Sequence, residues 1–335
     1  MRTAVTLAAC AFTAISAQAQ LTITDSLTVG TIATLLEGIG VTVSNVTVNC
    51  PGRAMGHFTG TSELSIAQGL VLTTGAADLV AGPVGNFAGE ALMTPGDADL
   101  ELGLGGGVPS YDACVLEFDC VPQGDTLLFN FSFGSEEYQE FVGSAFNDVF
   151  AIYLSGPGFN PPVNVAAIPG GTIVSINNVN DNINSTFYHN NEVPPAGQFV
   201  AYDGFTTNLT AFAVVVPGLT YHFKVAIADV SDQVLDSGVF LEAFSFRSPL
   251  FTTGVHGTSN ARFKLVVQGD QLVLSGPEAL TAGRPVLVYD MGGALVLRGA
   301  TSGPRTSLPV GGLKQGLYVV HLPGSGLAPQ RFVRE

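Results

Sequence analysis

The sequence contains no tryptophan and little charge: only 12% of its 335 residues are charged, with 12 Lys or Arg against 27 Asp or Glu. A net charge of −15 repels a polyphosphate, which excludes nucleic acid as a partner. Four cysteines and five scattered histidines offer no two-Cys/two-His spacing, so a structural zinc site is excluded as well. Helical periodicity is almost absent, and 46% hydrophobic residues exclude a disordered chain.

What the sequence does contain is a series of short apolar runs rich in Val, Ile, Phe and Thr, bounded by Gly, Pro, Asn or Asp. This pattern predicts an all-β protein. Eight strands are predicted in the larger part: Val41–Val48, Gly69–Thr73, Thr126–Phe133, Val149–Leu154, Thr172–Ile176, Leu209–Val216, Thr220–Ala228 and Val239–Phe246. The expected fold is a large two-sheet jelly-roll-like sandwich followed by a small Ig-like β-sandwich of seven short strands.

The charge changes sign along the chain, which indicates two domains. Residues 20–250 hold three basic and 23 acidic residues, whereas residues 251–335 hold eight basic and four acidic ones. The predicted boundaries are a β-sandwich domain over 20–248, a linker over 249–259 and a C-terminal domain over 260–335.

The first 19 residues have the parts of a secretory signal peptide. Arg2 supplies the positive charge, an apolar stretch of small residues follows, and Ala17-Gln18-Ala19 forms an A-x-A site. Cleavage is predicted between Ala19 and Gln20. Because the apolar stretch is shorter than the roughly 20 residues that span a bilayer, no transmembrane segment is expected.

Export leads to an oxidising compartment, where cysteines pair. Cys10 leaves with the signal peptide, so three cysteines remain and one bridge can form. Cys114 and Cys120 are six residues apart, and pairing of Cys50 with either is equally allowed by the sequence.

Two acidic clusters follow predicted strands. Phe133-Gly-Ser-Glu-Glu-Tyr-Gln-Glu-Phe141 precedes Asn147-Asp148, and the second cluster runs from Ile227 to Phe240. Oxygen ligands gathered by loops are what Ca²⁺ requires, although neither cluster has EF-hand spacing. The predicted metal ligands are Glu136, Glu137, Asp148, Asp229, Asp232 and Asp236. Pro95-Gly-Asp-Ala-Asp-Leu100, with Asp97 and Asp99, is a weaker candidate.

Other interpretations of the same residues stay open. The carboxylates are also typical of solvated loops in which Asp and Glu cap backbone amides. A glycan hydrolase would use Glu136 or Glu137 with Asp148 as acid and base, although adjacent residues of an extended segment point to opposite faces. No catalytic motif is present, and a non-catalytic coat protein is a third interpretation.

Residues from about Thr31 to Phe246 resemble the choice-of-anchor L domain of secreted bacterial proteins. The matching blocks are Gly69–Gly75, Gly96–Leu100, Phe133–Phe141, Phe146–Phe150, Leu154–Gly158, Asn164–Pro169, Tyr202–Thr206, Tyr221–Lys224 and Ile227–Phe240. Two of these blocks coincide with the acidic clusters. The resemblance implies a surface-exposed β module and assigns no substrate.

The tail resembles the type A C-terminal sorting domain of the type IX secretion system. The similarity lies in Val288–Gly293, Leu308–Leu313, Gly316–Val320 and the basic ending Arg331-Phe-Val-Arg334. It implies Sec export, passage across the outer membrane by the type IX machinery, and attachment to the cell surface or release.

Together these observations predict a secreted or cell-surface β-sandwich module, stabilised by Ca²⁺, with a binding or adhesion role. Its ligand would be an extracellular glycan or protein.

Overall fold

The structure is a computed structural model that describes residues 20–249, 263–275, 283–290, 294–322 and 329–334. The predicted signal peptide and nearly all of the predicted linker lie outside these residues. Within the described ranges, no helix is long and apolar enough to cross a lipid bilayer.

Strands dominate the described part of the larger domain, which confirms the all-β prediction. They are β1 (Thr22–Thr24), β2 (Val41–Asn49), β3 (Met55–Thr59), β4 (Gln68–Thr73), β5 (Ser110–Pro122), β6 (Thr126–Ser135), β7 (Val149–Gly156), β8 (Phe159–Asn164), β9 (Tyr188–Asn190), β10 (Gly204–Thr206), β11 (Leu209–Val214), β12 (Tyr221–Val230) and β13 (Ser237–Glu242). The strand predicted over Thr172–Ile176 is wrong, because there Ile173 makes only an isolated bridge to Ala167.

These strands form two antiparallel sheets. One has the order β1-β3-β4-β13-β6-β10-β9, with β11 also paired to β6, and the other has the order β2-β5-β12-β7-β8. Between them, Phe118 of β5 stacks on Phe223 of β12 with ring centroids 5.4 Å apart and meets the edge of Phe129 of β6. Burial of these aromatic side chains between the sheets is the main apolar contribution to stability.

Two short helices accompany the sheets, α1 (Val29–Leu36) and α2 (Ala98–Gly103). Helix α1 begins after Thr28, whose hydroxyl accepts the N–H of Thr31, and it buries Ile32, Leu35 and Leu36. Helix α2 begins after Asp97, whose carboxylate accepts two N–H groups of the first turn. The side-chain caps satisfy amides that have no partner inside the helix.

The tail has its own core and two further sheets. The described residues of the tail form seven strands: β14 (Lys264–Gln268), β15 (Gln271–Ser275), β16 (Pro285–Asp290), β17 (Leu295–Ala300), β18 (Arg305–Pro309), β19 (Gly316–His321) and β20 (Gln330–Arg334). Their orders are β14-β15-β18 and β17-β16-β19-β20. Leu272, Val288 and Val320 are among the fully buried residues between them.

The disulfide joins Cys50 and Cys114, and Cys120 stays a buried free thiol. Cys50 follows β2, where Asn49 pairs with Val115 of β5, so the register places Cys50 directly opposite Cys114. Closing a loop of 64 residues stabilises the fold by about 4 kcal/mol in the chain-entropy model.

Candidate functional site

The predicted carboxylates gather at one end of the larger sandwich because antiparallel pairing brings strand ends together. Ser135, the last residue of β6, pairs with Ser237, the first residue of β13. In the other sheet, Ala228 of β12 pairs with Val149 at the start of β7. Glu136 and Glu137 therefore follow β6, Asp148 precedes β7, Asp229 lies near the end of β12 and Asp236 precedes β13.

These five carboxylates are buried. Their exposed fractions are 6% for Glu136, 2% for Glu137 and 1% each for Asp148, Asp229 and Asp236. A sixth, Asp112 at the start of β5, is 0% exposed and is absent from the predicted set. The ion pairs of the described lysines, arginines and histidines involve none of the six. Buried charges without a counter-ion are costly, so this end of the sandwich needs another source of neutralisation.

Residues 88–94, which we call the strap, lie against the acidic end. The strap belongs to no strand, and every second backbone N–H donates to a buried carboxylate. The bonds are Ala88 N to Glu136 Oε1 at 3.0 Å, Glu90 N to Asp236 Oδ2 at 3.1 Å, Leu92 N to Asp112 Oδ2 at 2.8 Å and Thr94 N to Asp112 Oδ1 at 2.6 Å. The carboxylates of Glu136, Asp236 and Asp112 thus accept N–H groups of the kind that, within a sheet, donate to carbonyls of a neighbouring strand.

Asp148 joins the two sheets. Its Oδ1 accepts the N–H of Val230 at 3.0 Å, and its Oδ2 accepts the hydroxyl of Ser237 at 2.6 Å. Its own N–H donates to Glu137 Oε2 at 3.4 Å. The side chain of Asp148 is thus fixed between β12 and β13, with Glu137 beside it.

Asp229 is the exception at this end. Both of its carboxylate oxygens are buried, and neither has a partner in hydrogen-bond geometry. The hydroxyl of Thr74 lies close enough to favour the ionised form, but burial and the neighbouring Asp148 raise the pKa of Asp229 well above its usual range. A buried carboxylate without a donor in hydrogen-bond geometry is rare in folded proteins.

The same desolvation acts on the other carboxylates. Burial raises the pKa of Glu136 to about 8 and that of Asp236 to about 7, and their backbone partners oppose this shift only in part. For Glu137 and Asp148 burial also raises the pKa, and the negative charge of Asp148 adds to the shift of Glu137. All of these shifts have the sign expected when like charges are buried together.

Asp232 is separate from this group. It lies in the loop between β12 and β13, is half-buried, and its Oδ1 accepts the N–H of Val234 within the same loop. Among the described residues, no three His, Cys, Asp or Glu side chains are grouped as ligands of one metal ion. Five of the six predicted carboxylates are thus gathered at one end, but they do not converge on one point.

The weaker candidate has a structural role. Asp97 caps helix α2, and Lys224 Nζ lies 2.7 Å from Asp97 Oδ2 and 2.5 Å from Asp99 Oδ2. Lys224 already supplies one positive charge to Asp97 and Asp99, so this pair has a counter-ion within the chain.

None of the six buried carboxylates lines the cavity of about 480 Å³ found in the described structure. That cavity lies between the larger domain and the tail, next to Phe212 and Tyr289. The carboxylates are instead buried at the end of the larger sandwich.

Two antiparallel sheets packed around an aromatic core, with a buried acidic end, define the class as a β-sandwich protein. The family model of the choice-of-anchor L domain matches residues 22–247, and the chain belongs to that family. Membership indicates a secreted or cell-surface protein.

Other comparisons add little. A search of curated proteins gave no match. Solved structures with some similarity include a β-glucuronidase from Faecalibacterium prausnitzii, at 11% identity and a TM-score of 0.18, covering 66% of this chain and 37% of that chain. A β-glucuronidase from Ruminococcus gnavus has 10% identity and a TM-score of 0.16, covering 66% and 35%. This chain thus spans little more than a third of those enzymes, and so weak a likeness carries no functional argument.

Proposed function

We propose that the chain is an exported, non-catalytic binding or adhesion module of the cell surface whose acidic end holds a divalent cation, Ca²⁺. The observation that carries the cation proposal is Asp229, a buried carboxylate next to Asp148 that has the Thr74 hydroxyl nearby but no partner in good hydrogen-bond geometry. A cation between them would remove the repulsion and supply the missing partner.

The donor set fits a hard cation. Asp148 and Asp229 supply carboxylate oxygens, and the buried hydroxyls of Thr74 and Ser237 lie at the same strand ends. Ca²⁺ accepts six to eight oxygen ligands in irregular geometry, including hydroxyls, backbone carbonyls and water, so it does not need three carboxylates at one point. Glu137 would be the third carboxylate near the cation, because it lies beside Asp148.

Burial argues against the hydrolase alternative. A glycosidase needs an acid and a base on either side of an accessible glycosidic bond. Glu136 accepts the N–H of Ala88 beneath the strap, and Glu137 is 2% exposed. A carboxylate that holds the backbone in place is not free to transfer a proton to a polymer.

The proposed route of export is Sec followed by the type IX machinery, with the tail as the sorting signal. Support comes from the basic tail, with eight basic and four acidic residues, and from its independent core. C-terminal mass spectrometry of secreted protein tests this route. Loss of the tail from mature protein is expected, and an intact Glu335 would contradict it.

Thermal unfolding of the purified protein in excess Ca²⁺ or in chelator tests the cation proposal. At a calcium concentration 100 times the dissociation constant, the native state gains about 2.7 kcal/mol, which raises Tm by about 5–10 °C for a domain of this size. Asp229→Asn should abolish the shift. Glu117→Gln, which removes a partly exposed carboxylate of β5, should keep it. An identical Tm in calcium and chelator would refute the cation site.

A further inference from the structure

Asp229 has no direct route to solvent in the closed structure, because both of its oxygens are buried. A cation therefore reaches it only if part of the surrounding wall moves. The inner wall consists of strand ends: Gly75 packs so closely on Asp236 that a Cβ there would lie 1.8 Å from Oδ2, and the buried Tyr202 hydroxyl is bonded to Thr73 at 2.9 Å. These elements belong to the core and cannot move without unfolding it.

The strap is a part of the wall with little apolar attachment. Ala88 is buried and Leu92 packs partly against the core, while Ala91 and Met93 face solvent. The strap is held chiefly by hydrogen bonds. Its N–H groups donate to Glu136, Asp236 and Asp112, and the carbonyls of Ala88 and Thr94 accept the N–H groups of Asp236 and Asp112. Segments with few buried apolar contacts open first in a native protein.

Closing the strap also concentrates negative charge. Asp229 is repelled by Asp148, Asp236 and Asp112, and Asp236 is repelled in turn by Asp112 and Glu90 of the strap itself. Glu140, Asp203 and Asp232 add negative charge around Glu136 and Glu137. The strap has one basic neighbour among the described ion pairs. Arg53, a half-exposed side chain that pairs with Asp78, lies 3.7 Å from Glu90.

We infer that cation occupancy controls the strap: a cation between Asp148 and Asp229 holds it closed, and withdrawal of the cation lets residues 88–94 open. This inference rests on the proposed cation site. It assigns the strap two linked roles, as the entry path of the cation and as the element that the cation orders. Because the linkage is reciprocal, whatever holds the strap closed also raises the affinity for the cation.

Hydrogen exchange read by mass spectrometry at pH 7.5 tests the inference on the whole protein. In chelator, the amides of the strap should exchange at least tenfold faster than in calcium. A reference peptide within β5, covering Leu116, Phe118 and Cys120, should exchange equally slowly in both conditions, because these residues are buried in the core away from the strap.

Two variants separate this inference from the cation site itself. Asp229→Asn removes a cation ligand that touches no strap amide, so strap exchange should become the same in calcium and chelator. Glu117→Gln should behave as the wild type does. Calcium binding by calorimetry is measured on the same samples.

The outcomes are distinguishable. If calorimetry detects calcium binding while strap exchange is equal in calcium and chelator, the strap inference is wrong and the cation site stands. If no calcium binds, the proposed cation site fails and the inference fails with it. A wild-type response retained in Asp229→Asn would overturn the assignment of the controlling site.

Discussion

Asp229 occupies the penultimate position of β12, where its side chain points into the acidic end instead of into solvent. The backbone at this position is fixed by pairing with Tyr111 of β5, after an irregularity in the register that follows Ile227. An extra residue in one strand re-aims the side chains that follow it, which is a common device beside functional sites. The register shift therefore gives a physical reason why Asp229 lies without a donor.

Replacing Asp229 with Asn should have opposite effects in the two conditions. In chelator the variant should unfold at or above the wild-type Tm, because a buried carboxylate without a partner has been removed. In calcium it should unfold several degrees below the wild type, because the ligand has been lost. Differential scanning calorimetry measures both values, and a variant that is less stable in chelator would contradict the proposal.

Stability of the calcium-free protein should fall as the pH rises. Burial raises the pKa of Glu136 to about 8 and that of Asp236 to about 7, whereas carboxyls of an unfolded chain titrate near pH 4. Between these values the folded state binds more protons than the unfolded state, so the free energy of unfolding decreases with pH. Urea unfolding in chelator should therefore give at least about 2 kcal/mol less stability at pH 8.5 than at pH 5.5.

Calcium provides the control for this pH dependence. Since a cation binds the ionised carboxylates, saturating calcium should weaken or reverse the trend. Calcium-free stability that rises from pH 5.5 to 8.5 would mean that the carboxylates are stabilised in their charged form by groups of the protein.

At the scale of elements, the strap is bonded to carboxylates at the start of β5, just after β6 and just before β13. The carboxylate of Asp112 accepts three hydrogen bonds from the strap, from the N–H groups of Leu92 and Thr94 and from the hydroxyl of Thr94. Its backbone has a φ of +49°, a conformation that Asp and Asn tolerate better than most residues. Asp112 is thus suited to its position both by its side chain and by its backbone.

Asp112→Asn should loosen the C-terminal half of the strap while keeping the backbone conformation. The side chain of Asn has one oxygen, whereas the two oxygens of Asp112 each accept one N–H group. The N–H of either Leu92 or Thr94 therefore loses its acceptor, at a cost of about 1–3 kcal/mol. Exchange at residues 92–94 should accelerate more than exchange at Ala88, which is held by Glu136 instead. Equal acceleration at all strap amides would show that the strap moves as one unit.

The sequence predicts the acidic end better than it predicts the elements that cover it. Five of the six candidate ligands lie together because antiparallel pairing joins the ends of predicted strands. Asp112 is absent from the predicted ligands because β5 is absent from the predicted strands. An alternating pattern is present there, with apolar Leu116, Phe118 and Cys120 separated by Glu117 and Asp119. The strap has no counterpart among the predicted elements, since its partners are carboxylates distant in sequence and no local pattern encodes them. Helix α1 was also missed, because its residues include several β-branched side chains that favour strands.

At the scale of the molecule, the larger sandwich and the tail bury separate cores. The contacts between them include the Phe212–Tyr289 ring pair at 5.9 Å and an exposed ion pair between Asp125 and Arg331 at 3.5 Å. An exposed ion pair contributes at most about 1 kcal/mol, so the two cores are coupled weakly compared with the stability of either.

Calorimetry of the whole protein should therefore show two unfolding transitions, and only one of them should move with calcium. The six buried carboxylates belong to the larger sandwich, so its transition should shift upward by several degrees. The basic tail, whose described part offers no buried carboxylate cluster, should unfold at the same temperature in calcium and chelator. The tail is thus an internal control for non-specific effects of calcium. A single transition would mean that the tail and the sandwich unfold as one cooperative unit. Two transitions that both shift would mean that the effect of calcium is not confined to the sandwich.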